Sequence, residues 1–265
     1  MVTVPSQPEP TTPSADVDLW LRRYQAGPPT GPRLICFPHA GGSASYFVPL
    51  AKALSPVAEV LSVQYPGRQD RRAEPAPTAI EPLADALAEV ISGLTDRPLA
   101  FFGHSMGAIV AFEVTRRLAA SAAGRRVPEP FVLLASGRRA PSALRDEAYH
   151  RLDHDAFVAE MGTLGGTDPR ILAEPELLDL ILPPTRADYQ AIETYVPSGD
   201  AVISTPVIVM IGDKDPRVTV PEAELWRTHT TATCDLRQYP GGHFYLLDQQ
   251  AAVITTISES LASSF

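Results

Sequence analysis

The segment that most constrains this chain is Leu99-Ala-Phe-Phe102 followed at once by Gly103-His104-Ser105-Met106-Gly107 and then by a helical pattern. An apolar run that enters Gly-x-Ser-x-Gly and leaves as a helix predicts a strand, a sharp turn and a helix in direct succession. Such a turn is strained and crowded, so the positions flanking the serine need residues without bulk, which Gly103 and Gly107 supply. The turn lifts the Ser105 hydroxyl above the end of the sheet. It also sets Ser105 at the start of a helix, where the positive end of the helix dipole favours developing negative charge.

The rest of the chain supplies a sheet for that turn. Short apolar runs at residues 33–37, 60–63, 99–102, 131–135, 207–211 and 235–239 read as strands buried on both faces. Helical patterns lie between them. Ile80, Leu83, Leu87, Ile91 and Leu94 repeat at helical spacing, and the helix begins either at a Thr78/Glu81 capping box or with Glu81 as cap and Pro82 in first position. A second helix carries Ile109, Phe112, Glu113 and Arg117, and a third runs from about Ala251 to the end. This alternation predicts an α/β-hydrolase fold, a mostly parallel central sheet with helices on both faces. From about residue 144 to 195 no core strand is evident, only helical pieces at 156–161, 175–182 and 187–195, so this stretch reads as an inserted helical lid. Residues 1–16, rich in Pro, Thr and Ser, read as a flexible tail, and residues 17–265 as one domain.

Composition narrows the function classes. A net charge of −9 over 265 residues offers no basic stripe for nucleic acid. No apolar run reaches the roughly 20 residues of a membrane span, and no secretory h-region is present. The two cysteines, Cys36 and Cys234, sit in apolar strand-like runs and read as core residues rather than redox or metal groups. A cytoplasmic monomer without metal or cofactor is expected.

A serine hydroxyl needs a base, and in this fold the partners follow in the order Ser, Asp, His from later strand ends. The run at 207–211 ends in Gly212-Asp213-Lys214-Asp215, and the run at 235–239 ends in Pro240-Gly241-Gly242-His243. His243 is the one histidine of six that follows a late strand, which makes it the base. Asp215, further out on its loop, is favoured over Asp213 for holding the imidazole, because Asp213 directly follows the strand and is placed to shape the turn. Met106 N–H and a donor from the loop Pro38-His39-Ala40-Gly41-Gly42 are the candidates for an oxyanion hole, with Ala40 preferred and His39 its rival. His39 and His104 adjoin the site in structural or gating roles, while His150, His154 and His229 fall in helical or surface contexts. Arg68, Arg71, Arg72, Arg138 and Arg139 follow strands, on the side of the sheet that carries the nucleophile. Together with His39 they either meet substrate, a phosphate or an acidic partner, or the arginines tie loops together through Asp70, Glu74 or Asp146.

Several strings resemble those of type II thioesterases, the free-standing editing enzymes of polyketide synthase and non-ribosomal peptide synthetase pathways. They are Phe37-Pro-His-Ala-Gly-Gly42, Tyr65-Pro-Gly-Arg-Gln-Asp-Arg71, Gly103-His-Ser-Met-Gly107, Ser136-Gly-Arg-Arg-Ala-Pro141, Leu164-Gly-Gly166, Leu182-Pro-Pro-Thr-Arg-Ala-Asp-Tyr189 and Gly241-Gly-His-Phe-Tyr245. Tyr65, where Leu is common, and Thr185 are mild departures. The resemblance implies hydrolysis of stalled acyl groups from the phosphopantetheine arm of acyl or peptidyl carrier proteins, the set Ser105, Asp215 and His243, and a mobile lid. Alternatives with the same machinery are a carboxylesterase or lipase and an acyltransferase or cyclase.

Overall fold

The computed structural model describes residues 15–121, 128–199 and 201–262, so most of the expected tail lies outside the described residues. Seven strands form one sheet in the order β1-β3-β2-β4-β5-β6-β7. They are β1 (Leu21–Arg23), β2 (Arg33–Phe37), β3 (Glu59–Val63), β4 (Leu99–His104), β5 (Pro130–Ser136), β6 (Val207–Gly212) and β7 (Cys234–Tyr239). All pairs are parallel except β1 with β3. Consecutive strand residues face opposite sides. Ile35, Phe37, Phe101, Leu133 and Val209 enter one core, and Leu34, Cys36, Phe102, Leu134 and Met210 enter the other. Both faces are therefore apolar, as helical cover on each side requires.

The helices are α1 (Ala15–Trp20), α2 (Val48–Leu54), α3 (Ile80–Ser92), α4 (Met106–Ser121), α5 (His154–Leu164), α6 (Pro169–Leu172), α7 (Pro175–Glu193), α8 (Val220–Glu224), α9 (Tyr245–Asp248) and α10 (Gln250–Ala262). Helices α3 and α4 cover the first face, and α2 and α10 the second. Both cysteines are free and buried. Among the described residues no helix is long and apolar enough to cross a membrane.

Three details depart from the sequence reading. Helix α1 begins at Ala15, within the expected tail, and β1, an unexpected edge strand of Leu-Arg-Arg, follows it. Only Leu21 of the three enters the core and the rest is backbone pairing, so no apolar run announces the strand. Helix α3 is capped by Ala79, which offers no side-chain acceptor, so neither Thr78 nor Glu81 is the cap. Pro82 then stands third in the helix, where its missing N–H is still one of the unpaired donors of the first turn. The pieces expected at 175–182 and 187–195 are one helix, α7, which runs through Pro183 and Pro184. The carbonyls that lose a helical donor there belong to Asp179 and Leu180, both exposed, so water can replace it.

The segment between β5 and β6 carries α5, α6 and α7. It has a small core of its own in Phe157, Met161, Leu178 and Leu182, with the Arg186 guanidinium over the Phe157 ring. Tyr195, just past α7, donates its hydroxyl to the buried Glu113 of α4 at 2.7 Å and so ties the lid to the sheet layer.

The turn at Ser105 depends on close backbone contact. A Cβ on Gly107 would overlap the Phe37 carbonyl, and one on Gly103 would overlap the backbone of Gly107 and Ala108. Gly107→Ala is accordingly expected to cost about 1–3 kcal/mol of overpacking strain. Denaturant unfolding checks this, and a wild-type midpoint would contradict it.

Candidate active site

Ser105 connects β4 to α4 with φ of 55°, a left-handed conformation that few residues other than glycine adopt. Its N–H donates to the Ser136 carbonyl of β5 at 2.8 Å, and its carbonyl accepts from Ala108 N–H at 3.0 Å. The sheet ladder thus runs up to the serine and the helix begins on it. Strand β6 ends in the loop that carries Asp215, and β7 ends in the loop that carries His243. The Ser105 hydroxyl donates to His243 Nε2 at 3.0 Å, and His243 Nδ1 faces the two Asp215 oxygens at 3.0 and 2.9 Å. A carboxylate against Nδ1 holds the proton on that nitrogen and leaves Nε2 as the acceptor. Asp215 Oδ1 also accepts the Arg217 N–H at 2.8 Å, so the carboxylate is held on both sides.

Asp213 is elsewhere. Exposed, it accepts the Gly241 N–H at 2.9 Å and so joins the loop after β6 to the one that carries His243. Its own N–H continues the ladder to Tyr239.

Three imidazoles surround the serine, with the Phe244 ring among them at centroid distances of 4.8 Å to His39, 5.1 Å to His104 and 5.2 Å to His243. Burial, then the neighbouring His243 and Arg68, lowers the pKa of His39 to about 3. Burial likewise holds His104 well below the usual range, and its Nδ1 pairs with Ser136 Oγ at 2.9 Å. Both rings are therefore neutral near pH 7; His39 lines the cavity with Ser105, and His104 lies behind His243 at a centroid distance of 5.2 Å.

The loop after β2 is held from the lid. Asp188 of α7 accepts the Gly41 N–H at 2.7 Å and receives both Arg68 nitrogens, at 2.6 and 2.9 Å. Arg68 also donates to the Gly42 carbonyl at 3.1 Å. The Gly42 and Ala44 N–H groups are satisfied by His39 O and Gln64 Oε1, at 2.9 Å each. Ala40, just before this pinned pair of glycines, lines the cavity with Ser105 and His243, while Met106 N–H opens α4 next to the serine.

That cavity measures about 310 Å³. Its floor is the sheet end with Ser105, His243 and Phe244, and its roof comes from lid residues such as Met161, Ile171, Ile181, Tyr189 and Ile192. A volume of this size, with apolar lid residues on one side and polar groups among them, suits a small organic chain.

The five arginines do not form the cationic rim that their positions after strands suggest. Arg68 is buried against Asp188. Arg71, also buried, pairs with Glu74 at 2.6 Å and lies over the Trp20 ring. Arg139 is buried against Glu147 at 2.7 Å. Only Arg72 is exposed, and Arg138 is half-buried in the cavity wall. Desolvation explains the outcome: each of the three enclosed guanidiniums that pair has an acid carried by a nearby loop or the lid. Of the pairings expected from sequence only Arg71 with Glu74 occurs, since Asp70 pairs with Arg22.

A family model described as Thioesterase domain matches residues 32–261. The chain belongs to the thioesterase family. This thioesterase is 48% identical to the probable cadicidin biosynthesis thioesterase of Streptomyces griseus over 242 residues, which cover 91% of this chain and 66% of that protein. It is also 48% identical to thioesterase PikA5 of Streptomyces venezuelae, covering 94% of this chain and 87% of that one. Among solved structures it is similar to the type II thioesterase BorB from the borrelidin biosynthetic cluster, with a TM-score of 0.82, 41% identity and coverage of 92% and 97%.

Sequence reasoning did not single out Asp188 or Phe244. Both lie inside strings that carry the family resemblance, and Asp188 is an acid within a largely apolar stretch, a pattern that asks for a buried cation. Asp188→Asn should lower stability by about 3–5 kcal/mol, because it strands Arg68 without its counter-charge. A double R68M/D188L variant should recover part of that loss. Thermal and denaturant melts read both, and a wild-type melt for Asp188→Asn would contradict the clamp.

Proposed function

We propose that this thioesterase hydrolyses acyl groups from the phosphopantetheine thiol of acyl or peptidyl carrier proteins, and so releases stalled or aberrant chains in polyketide or non-ribosomal peptide biosynthesis. The observation that carries the reading is the unbroken hydrogen-bond chain from Ser105 through His243 to Asp215, at the floor of a lidded cavity of mixed apolar and polar lining. The relatives named for cadicidin biosynthesis, PikA5 and the borrelidin cluster support the pathway class.

The chemistry follows from the positions. Ser105 Oγ adds to the thioester carbonyl carbon while its proton passes to His243 Nε2. The carbonyl electron pair moves to oxygen, where the N–H groups of Ala40 and Met106 hold it. Asp215 supports the resulting imidazolium. When the oxyanion collapses, the C–S bond breaks and the thiol leaves with the proton from His243. Water then attacks the acyl-serine, His243 again takes the proton, and the free acid departs as Ser105 is restored. The protein contributes no cofactor of its own; the phosphopantetheine arrives with the substrate.

Two measurements test this. On an acyl-carrier thioester kcat/KM should exceed that on the matching oxygen ester by at least about tenfold, since the thiolate is the better leaving group. Equal or reversed values would favour an esterase, and transferred or cyclised products an acyltransferase. Asp215→Asn should cost on the order of 10³–10⁴-fold in kcat, and Asp213→Asn far less; the reverse order would reassign the third residue.

A further inference from the structure

Most charged groups in the cavity wall are already engaged. Glu147 is shared by Arg139 at 2.7 Å and Arg217 at 3.5 Å. Glu193 accepts the backbone N–H groups of Tyr149 and His150, at 3.1 Å each, and the His150 ring. Arg217 also pairs with Glu160, and Arg145, behind the wall, with Glu222. Arg138 is different. It lines the same cavity as Ser105 and His243, its Nε–H is buried without an acceptor, and Glu147, whose charge acts on it, is already bound by Arg139 and Arg217.

Its position is fixed by main chain. Ser136, two residues earlier, supplies the carbonyl that receives the Ser105 N–H, Gly137 turns the chain at φ of 59°, and the Arg138 carbonyl accepts the Trp226 indole N–H at 3.0 Å. The Arg138 backbone is thereby anchored one short turn from the nucleophile. Leaving that Nε–H buried without an acceptor is costly unless a ligand completes it. Burial, then the charge of Arg139, lowers the pKa of Arg138 to about 9, so it remains a cationic donor at neutral pH.

We infer that Arg138 is a selectivity subsite for the acyl chain: its guanidinium donates to an oxygen that the chain carries beyond the scissile carbonyl. This rests on the cavity being the acyl site of the proposed thioesterase. Ile181, Ile192 and Met161 receive the carbon skeleton, and Arg138 reads the oxygen set along it. The phosphate of the carrier arm is not the ligand, because it sits at the far end of the arm from the sulfur while the acyl chain fills the cavity. Keto, hydroxyl and carboxylate oxygens share the required acceptor chemistry.

The test is hydrolysis of N-acetylcysteamine thioesters of hexanoate, 3-oxohexanoate, 5-oxohexanoate, 5-hydroxyhexanoate and adipate by wild type, Arg138→Met and Arg138→Lys. The wild type should favour at least one oxygenated chain over hexanoyl. Arg138→Met should lower that kcat/KM ratio about tenfold or more, and Arg138→Lys should restore part of it. Best response from adipoyl identifies a carboxylate ligand, and best response from the oxo or hydroxy chains a neutral oxygen. An unchanged ratio in Arg138→Met across the whole panel, or equal losses on every chain, overturns the inference while leaving the thioesterase reading intact. Should the wild type refuse all five, the same chains loaded on a carrier protein carry the comparison, and failure there too removes that reading and the inference with it. Should Arg138→Met not fold, as thermal melting will show, Arg138→Lys and Arg138→Gln carry the same comparison, since the Trp226 contact is to main chain.

Discussion

The contact on which the rest depends is the hydrogen bond from Ser105 N–H to the Ser136 carbonyl, made while the serine is held in a left-handed conformation. A non-glycine residue in that conformation costs about 1–3 kcal/mol, so surrounding structure must enforce it. The ladder between β4 and β5 enforces it from below, and the start of α4 against the Phe37 carbonyl enforces it from above. Because the sheet is parallel, the loops after β2, β5, β6 and β7 all emerge at that same end. Three of these loops bring Ala40, Arg138 and His243 to the cavity wall, and the loop after β6 sets Asp215 against His243.

The second constraint is the burial of charge between lid and body. Asp188 on α7 reaches down to Arg68 and to the Gly41 N–H, so one carboxylate couples the lid helix, the Arg68 loop and the loop that carries Ala40. Any movement of α7 must break or carry these bonds. Lid position and the shape of the loop beside the serine are therefore one mechanical system, not a cover placed over a finished site.

How much of this was legible in the sequence divides along physical lines. Five of the six expected strands could be read because burial on both faces forces continuous apolar runs, and the turn at Ser105 because it demands small flanking residues; β7, expected to be buried on both faces, is instead the other edge of the sheet, with Asp235, Arg237 and Gln238 exposed. Strand β1 was hidden because an edge strand needs only backbone partners. The continuity of α7 through Pro183 and Pro184 was hidden because it rests on solvent access to two carbonyls. The preference for Asp215 over Asp213 came from loop position, and the structure places only Asp215 against His243. For the arginines the sequence left two readings open, because it shows where a charge attaches but not which acid, 8 or 120 residues away, will enclose it.

The central claim is that the acyl chain passes through a covalent bond to Ser105. Rapid quenching of the enzyme with an acyl-carrier substrate, followed by peptide mapping by mass spectrometry, tests it directly. The account predicts the acyl mass on the peptide containing Ser105, formed and discharged at rates compatible with turnover and absent in Ser105→Ala. Steady turnover in Ser105→Ala, or an acyl group found on another residue, would contradict it.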